Sequence, residues 1–193
     1  MKLDLTGKVA VVSGSTSGIG QGIAAGLAKA GVTVVVVGRK QRGVDDTIAA
    51  IAAQTPTASL RGVVADLSTE SGVAIPGDMI NYGVTKAANL AVSHGLAKRL
   101  AGTGVTVNAI LPGPTFTDGL KEMLADAAAQ SGRCAREQAD EFVKTSRPSS
   151  IIQRAADVEE VANLAVYLAS PLSSATTGAA LRVDGGVVDT LTM

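Results

Sequence analysis

Tyr82 and Lys86 stand four residues apart in "YGVTK", inside a segment whose pattern predicts a helix over 81–101. Residues four apart share one side of a helix. A phenol with its ordinary pKa of about 10 is a poor proton donor or acceptor at neutral pH. A neighbouring ammonium stabilises phenolate and brings that pKa toward the working range. Such a pair could hand a proton to a carbonyl oxygen, or take one from an alcohol. Tyr-x3-Lys also occurs on inert helical surfaces, so the meaning of the pair depends on its surroundings.

A second cluster lies near the N-terminus, where "SGSTSGIG" (13–20) joins a strand-like run to a helix-like one. Gly14, Gly18 and Gly20 allow a tight turn and the approach of a pyrophosphate with no Cβ in the way. The helix that begins there offers free N–H groups and the positive end of its dipole. The position at which nucleotide-binding folds hold the adenosine ribose follows, and it carries Gly38, Arg39 and Lys40 with no acid. Two cations favour a 2′-phosphate, hence NADP(H) over NAD(H); the alternative is that both are solvated charges. Asp66 ends the third strand-like run, to receive an adenine amino group or to cap a turn.

These groups need a frame. Residues 8–13, 32–38 and 60–66 are short valine-rich runs and predict buried strands, with helices predicted between them, the second over 45–54. Strand-helix-strand-helix-strand is the first half of a doubly wound parallel sheet. After the helix at 81–101 come a strand over 105–111, a polar helical region over 118–147, a helix over 157–169 and a last strand over 179–184.

The bulk composition agrees with one α/β domain over 1–193. Hydrophobic residues make up 46% and aromatic residues 2%, so the core is built from Val, Ala, Leu and Ile. Lys+Arg and Asp+Glu both number 17, which argues against a nucleic-acid partner. The lone cysteine, Cys134, permits no internal disulfide, and no thiolate metal site is expected. "VTVVVVG" is too short to span a bilayer, and the N-terminus lacks a secretory pattern, so a cytoplasmic protein is expected.

In order along the chain, "SGSTSGIG", "ADL" (65–67), "YGVTKAA" (82–88), "VNAILPGPTFT" (107–117), "ADVEEVANLAVYLAS" (156–170) and "TGAALRVDGG" (177–186) resemble the short-chain dehydrogenase/reductase family. The resemblance implies a Rossmann-like three-layer α/β/α fold and hydride exchange between a nicotinamide and a small carbonyl or alcohol substrate. It implies that Tyr82 is the acid–base residue and that Lys86 lowers its pKa and holds the ribose. Gly14, Ser15, Ser17, Gly18, Ile19, Gly20, Gly38, Arg39, Asp66 and Leu67 match the cofactor-contacting positions of the first half. Pro112, Gly113 and Thr117 match the loop that holds the nicotinamide amide. Homo-oligomers are the family's habit.

The family also places further elements between its third strand and its catalytic tyrosine: two strands, two helices and a catalytic serine. Here 15 residues separate Asp66 from Tyr82, whereas one strand-helix-strand unit takes about 30. Strands four and five of the family pattern are therefore missing. Thr69 stands 13 residues before Tyr82, where the family has its serine; it either orients a carbonyl or belongs to a turn. Fifteen extended residues reach about 50 Å, so the connection can be made. Either the strand at 105–111 moves about two strand spacings, roughly 10 Å, to pair with the first strand, or two sheet edges stay open. The alternatives to an active reductase are a catalytically impaired nucleotide-binding relative and an incomplete sequence of an active one.

Overall fold

The computed structural model describes residues 3–65 and 79–188, with the backbone alone for 79–87. The first part alternates strand and helix: β1 (Val9–Val12), α1 (Gly18–Lys29), β2 (Thr33–Gly38), α2 (Gln41–Gln54) and β3 (Leu60–Val64). The second part contains α3 (Met79–Arg99), β4 (Ala109–Pro112), α4 (Asp118–Met123), α5 (Ala125–Ser131) and α6 (Ala135–Ser146). It ends with α7 (Val158–Leu168), a 3-10 turn at Pro171–Ser173, and β5 (Ala180–Val183).

β2 reads TVVVVG, a run of β-branched side chains that fit a pleated surface better than a helix. It is the middle strand of a parallel sheet, with Val34 between Ala10 of β1 and Leu60 of β3. Val34 and Val36 are fully buried, and they pack with Val32, Val44 of α2, and Ala24 and Leu27 of α1. Each fully buried valine of this cluster contributes roughly 1.5 kcal/mol or more.

α1 packs closely on α7 because its facing residues are small. A Cβ at Gly22 would overlap Val158 Cγ1, and one at Gly26 would stand 3.3 Å from Val166 Cγ2. α7 also contacts β4 and β5, and so ties the two halves together.

Of the two arrangements open to the shortened chain, the divided one forms. β4 and β5 pair with each other in a separate parallel sheet, and no described residue hydrogen-bonds β1 to β4. Among the described residues both edges stay open. Val9 and Val11, two apart and so on one face of β1, are 70% and 71% exposed. The 15-residue connection cannot supply two strands, and the α1–α7 packing holds β4 and β5 where they are.

Three expected boundaries shift for local reasons. The strand predicted over 105–111 is regular only over Ala109–Pro112. Before it, side chains replace the ladder: Asn108 Nδ2 donates to Thr176 O (2.8 Å), Asn108 Oδ1 accepts from Ala179 N (3.2 Å), and Thr177 Oγ1 accepts from Val107 N (3.2 Å). α2 begins at Gln41 rather than 45, supported by Gln41–Asp45 and Arg42–Asp46 pairs one turn apart. The helical region over 118–147 is three helices, divided at Leu124 and by Gly132, whose φ of 69° ends α5. Cys134 then caps α6: its Sγ accepts from Glu137 N, and Glu137 Oε2 accepts from Cys134 N (2.9 Å).

Candidate active site

The turn from β1 into α1 is a close-packed cradle. Gly14 and Gly18 have φ of 61° and 55°, the left-handed region that disfavours side chains. A Cβ at Gly20 would overlap Gly14 O, so the helix and the loop can meet only without a side chain there. Ser17, the N-cap of α1, is extended and makes no side-chain cap, and no acid lies in the first turn. Among the described residues no side chain caps the first-turn amides and no acid of the first turn offsets the positive helix end, as an anion site requires.

Ser15 is fully buried, and Val37 N donates to its Oγ (2.9 Å) while Ser15 N donates to Val37 O (3.2 Å). It fastens the loop to the end of β2. Ile19, half-buried, is the second residue of α1.

At the end of β2, Gly38 lies under Thr16. A Cβ at Gly38 would overlap Thr16 Cγ2 and stand 3.2 Å from Val44 Cγ2. The space that an aspartate side chain would need is taken by the loop's own threonine. Arg39 and Lys40 are exposed, Lys40 is the N-cap of α2, and no acid lies in the first turn of α2. Neither cation has an ion-pair partner among the described residues. Two cations at a positive helix end repel it unless an anion joins them.

The loop after β4 is held against β5 and the start of α7. Gly113 N donates to Val183 O (3.0 Å), and a Cβ at Gly113 would lie 2.6 Å from Asp184 O. Phe116 N donates to Ala156 O (2.8 Å), and Ala156 N to Pro114 O (2.9 Å). The Phe116 ring lies beneath two cations, Lys121 Nζ at 4.9 Å and the Arg136 guanidinium at 5.1 Å. Arg136 is fixed in turn by Asp157 (2.6 Å), Asp140 (3.3 Å) and Ala155 O (2.9 Å). Thr117 caps α4, its Oγ1 accepting from Leu120 N (3.3 Å). Beside this network, Arg154 grips Glu160 through both its terminal nitrogens (2.8 Å each). The side-chain hydrogen bond from Arg154, and then the Asp157 amide, hold the Glu160 carboxyl down at about 2.

α3 carries Tyr82 and Lys86 at i and i+4. His94, two turns past Lys86, places Nδ1 3.0 Å from Gly178 O and thereby ties α3 to the loop before β5. Asp66, Leu67 and Thr69 lie outside the described residues, and for Tyr82 and Lys86 the description stops at the backbone. The fold thus brings together Gly14–Gly20, Gly38 with Arg39, and Pro112–Thr117.

Sequence patterns passed over Thr16, Phe116 and Arg136. Thr16 lies within the glycine loop, and the missing acid at 38 is the signal that points to it. Phe116 and Arg136 carry no local pattern, because their contacts cross between segments.

A glycine cradle at the start of the first helix, beside the middle of a parallel sheet, defines a doubly wound nucleotide-binding protein. The family described as Enoyl-(Acyl carrier protein) reductase matches residues 62–188, and the one described as short chain dehydrogenase matches residues 8–75. The chain belongs to the short-chain dehydrogenase/reductase family.

Among similar proteins, the uncharacterized oxidoreductase YvaG of Bacillus subtilis is 34% identical over 260 aligned positions, covering 97% of this chain and 98% of the relative. A D-beta-hydroxybutyrate dehydrogenase of Rhizobium meliloti is 29% identical over 255 positions, covering 93% and 98%. Both alignments are longer than the 193 residues of this chain, so each relative carries residues with no counterpart here, as the open edges of β1 and β4 require. In architecture the chain is similar to L-sorbose reductase of Gluconobacter frateurii, solved with NADPH and L-sorbose (TM-score 0.85, 22% identity, 99% of this chain and 100% of that one). It is also similar to an NADPH-bound short chain oxidoreductase of Pseudomonas aeruginosa (TM-score 0.82, 20% identity, 97% and 99%).

Proposed function

We propose that this chain is an NADP(H)-dependent oxidoreductase acting on a carbonyl/alcohol pair. The observation that carries the cofactor choice is Gly38 filled by Thr16, beside Arg39 and Lys40 unpaired among the described residues at the positive end of α2. An acid that would bind a ribose 2′-hydroxyl has no room there, whereas a 2′-phosphate would neutralise two cations and a helix end. The relatives of known structure solved with NADPH support the same choice.

Gly14, Ser17, Gly18, Ile19 and Gly20 would hold the pyrophosphate and its ribose, with Ser15 holding the loop. Asp66 and Leu67 would meet the adenine, and Pro112, Gly113 and Thr117 the nicotinamide amide. The cofactor, when bound, supplies or accepts the hydride. In the reductive direction Tyr82 gives its phenolic proton to the carbonyl oxygen, Lys86 stabilises the phenolate left behind and holds the ribose, and Thr69 orients the carbonyl. Association of copies belongs to this reading and is supported by the exposed valines at the β1 edge. A cytoplasmic setting also belongs to this proposal.

The test is a fluorescence titration of the 193-residue chain with NADPH and NADH, followed by turnover assays with Tyr82→Phe as control. Saturable micromolar binding, tighter for NADPH, and turnover lost in Tyr82→Phe are expected. Binding without turnover of any carbonyl would favour the impaired relative. No binding of either cofactor would overturn the proposal for this chain.

A further inference from the structure

Beyond the Pro112–Gly113 loop lies a cavity of about 600 Å³, within the range that takes small ligands. Leu111, Pro112, Leu120, Met123, Phe142 and Val187 make most of its wall apolar. Pro112 and Gly113 form part of that wall, so the cavity opens beside the residues assigned above to the nicotinamide amide. Its charged groups among the described residues are Arg147, Arg182 and Asp184, and their commitments differ. Asp184 is occupied by backbone: Oδ1 accepts from Gly186 N (3.1 Å) and Oδ2 from Val188 N (3.3 Å).

Arg147, on the same wall, is half-buried. Its Nη1 donates to Ser146 O (2.6 Å), and its guanidinium lies 5.9 Å from the Phe142 ring centroid. No described carboxylate pairs with it. Of the other half-buried arginines, Arg136 is paired with Asp140 and Asp157 and Arg154 with Glu160, while Arg182 lies on the wall of the same cavity. A guanidinium held over an aromatic face has a fixed fork with donors to spare. Placed at the edge of a largely apolar cavity whose Asp184 carboxylate is taken up by backbone amides, it suits a ligand that combines an aliphatic chain with a carboxylate.

We infer that this cavity binds the substrate and that Arg147 selects an anionic one, a carboxylate-bearing aliphatic carbonyl or alcohol. This rests on the reading of the chain as a carbonyl/alcohol oxidoreductase. Leu120, Met123 and Phe142 exclude water from the chain of such a substrate, and Arg147 fixes the end remote from the reacting carbon. Arg147 is a specificity residue and takes no part in moving the proton or the hydride.

The experiment compares hexanoate with 1-hexanol by calorimetric titration of the full chain, with and without NADP⁺, in wild type, Arg147→Met and Arg147→Lys. Hexanoate is expected to bind roughly tenfold or more tightly than 1-hexanol, the scale of one charge-assisted hydrogen bond. Arg147→Met should bring the two ligands together, and Arg147→Lys should keep part of the preference. Equal binding of the two ligands to wild type, or a preference that survives Arg147→Met, would overturn the inference. Should Arg147→Met not fold, the wild-type comparison and Arg147→Lys decide. NADPH binding is read separately on the same protein. Failure there with the hexanoate preference intact would remove the cofactor reading and leave the anion site standing; NADPH binding without the preference would do the reverse.

Discussion

Gly18 and Thr117 meet across the division between the two sheets: a Cβ at Gly18 would stand 3.7 Å from Thr117 Cγ2. The first belongs to the glycine cradle and the second to the loop after β4, so the two parts of the candidate cofactor site adjoin although β1 and β4 do not pair. The α1–α7 packing keeps them in register, and Phe116, held beneath Lys121 and Arg136, fixes the approach to Thr117.

The cradle tolerates no side chain at Gly20. Gly20→Ala would push its Cβ into Gly14 O, a backbone atom that can yield only if the loop moves. Overpacking of this kind costs about 1–3 kcal/mol, so the thermal midpoint should fall by about 2–4 °C per kcal/mol, and NADPH affinity of the folded variant should fall roughly tenfold or more. Unaltered NADPH affinity in the fluorescence titration would place the phosphates elsewhere.

Cofactor choice should respond to the pair Thr16 and Gly38. Gly38→Asp alone collides with Thr16 and should weaken both cofactors. Gly38→Asp combined with Thr16→Gly makes room for the carboxylate, which repels a 2′-phosphate, and should favour NADH. Arg39→Ala should weaken NADPH by about tenfold and leave NADH nearly unchanged, as expected for loss of one charge-assisted contact. The ratio of the two dissociation constants is the readout.

The helix contact that joins the halves can be tested without any ligand. Gly22→Ala places a methyl against Val158 Cγ1, a stiff β-branched neighbour, and should destabilise by about 1–3 kcal/mol. Adding Val158→Ala should return part of that loss. Denaturant midpoints for the two single variants and the double variant measure the coupling directly.

His94 anchors the helix that bears Tyr82 and Lys86. His94→Ala removes the contact with Gly178 O and should cost about 1 kcal/mol, the net worth of one exposed-to-half-buried hydrogen bond. Turnover should fall more than NADPH affinity, because α3 carries the proton-transfer pair while the phosphates rest on α1. An equal loss in both would show that the tether serves stability alone.

Acid should release the Arg154–Glu160 clasp. The folded-state pKa of Glu160, about 2, lies below its unfolded value of about 4.3. Its contribution is therefore present above the unfolded value and lost as pH falls from about 4.5 through about 2. The Glu160 side chain is 40% exposed, so solvent screening limits the effect to about 1 kcal/mol. Melting curves should show wild type above Glu160→Gln by about 2–4 °C at pH 7, with the two converging near pH 2. A constant separation across that range would mean that the carboxylate's charge contributes nothing.

Much of this was legible in the sequence, and for local reasons. The valine runs of β1 and β2, the glycines at 14, 18 and 20, and the four-residue interval from Tyr82 to Lys86 follow from backbone period and turn chemistry. The missing strands also followed from the sequence, as a matter of chain length between Asp66 and Tyr82. Tertiary structure decided which of two outcomes that shortage produced, because open edges against a displaced strand is a balance between strand pairing and the α1–α7 contact. It alone turned the side chain of Thr16 onto Gly38, set Phe116 beneath Arg136, and left Arg147, with no ion-pair partner among the described residues, on the wall of a largely apolar cavity. Each of these joins segments that no short-range period relates, so the residues show their roles only once the packing brings them together.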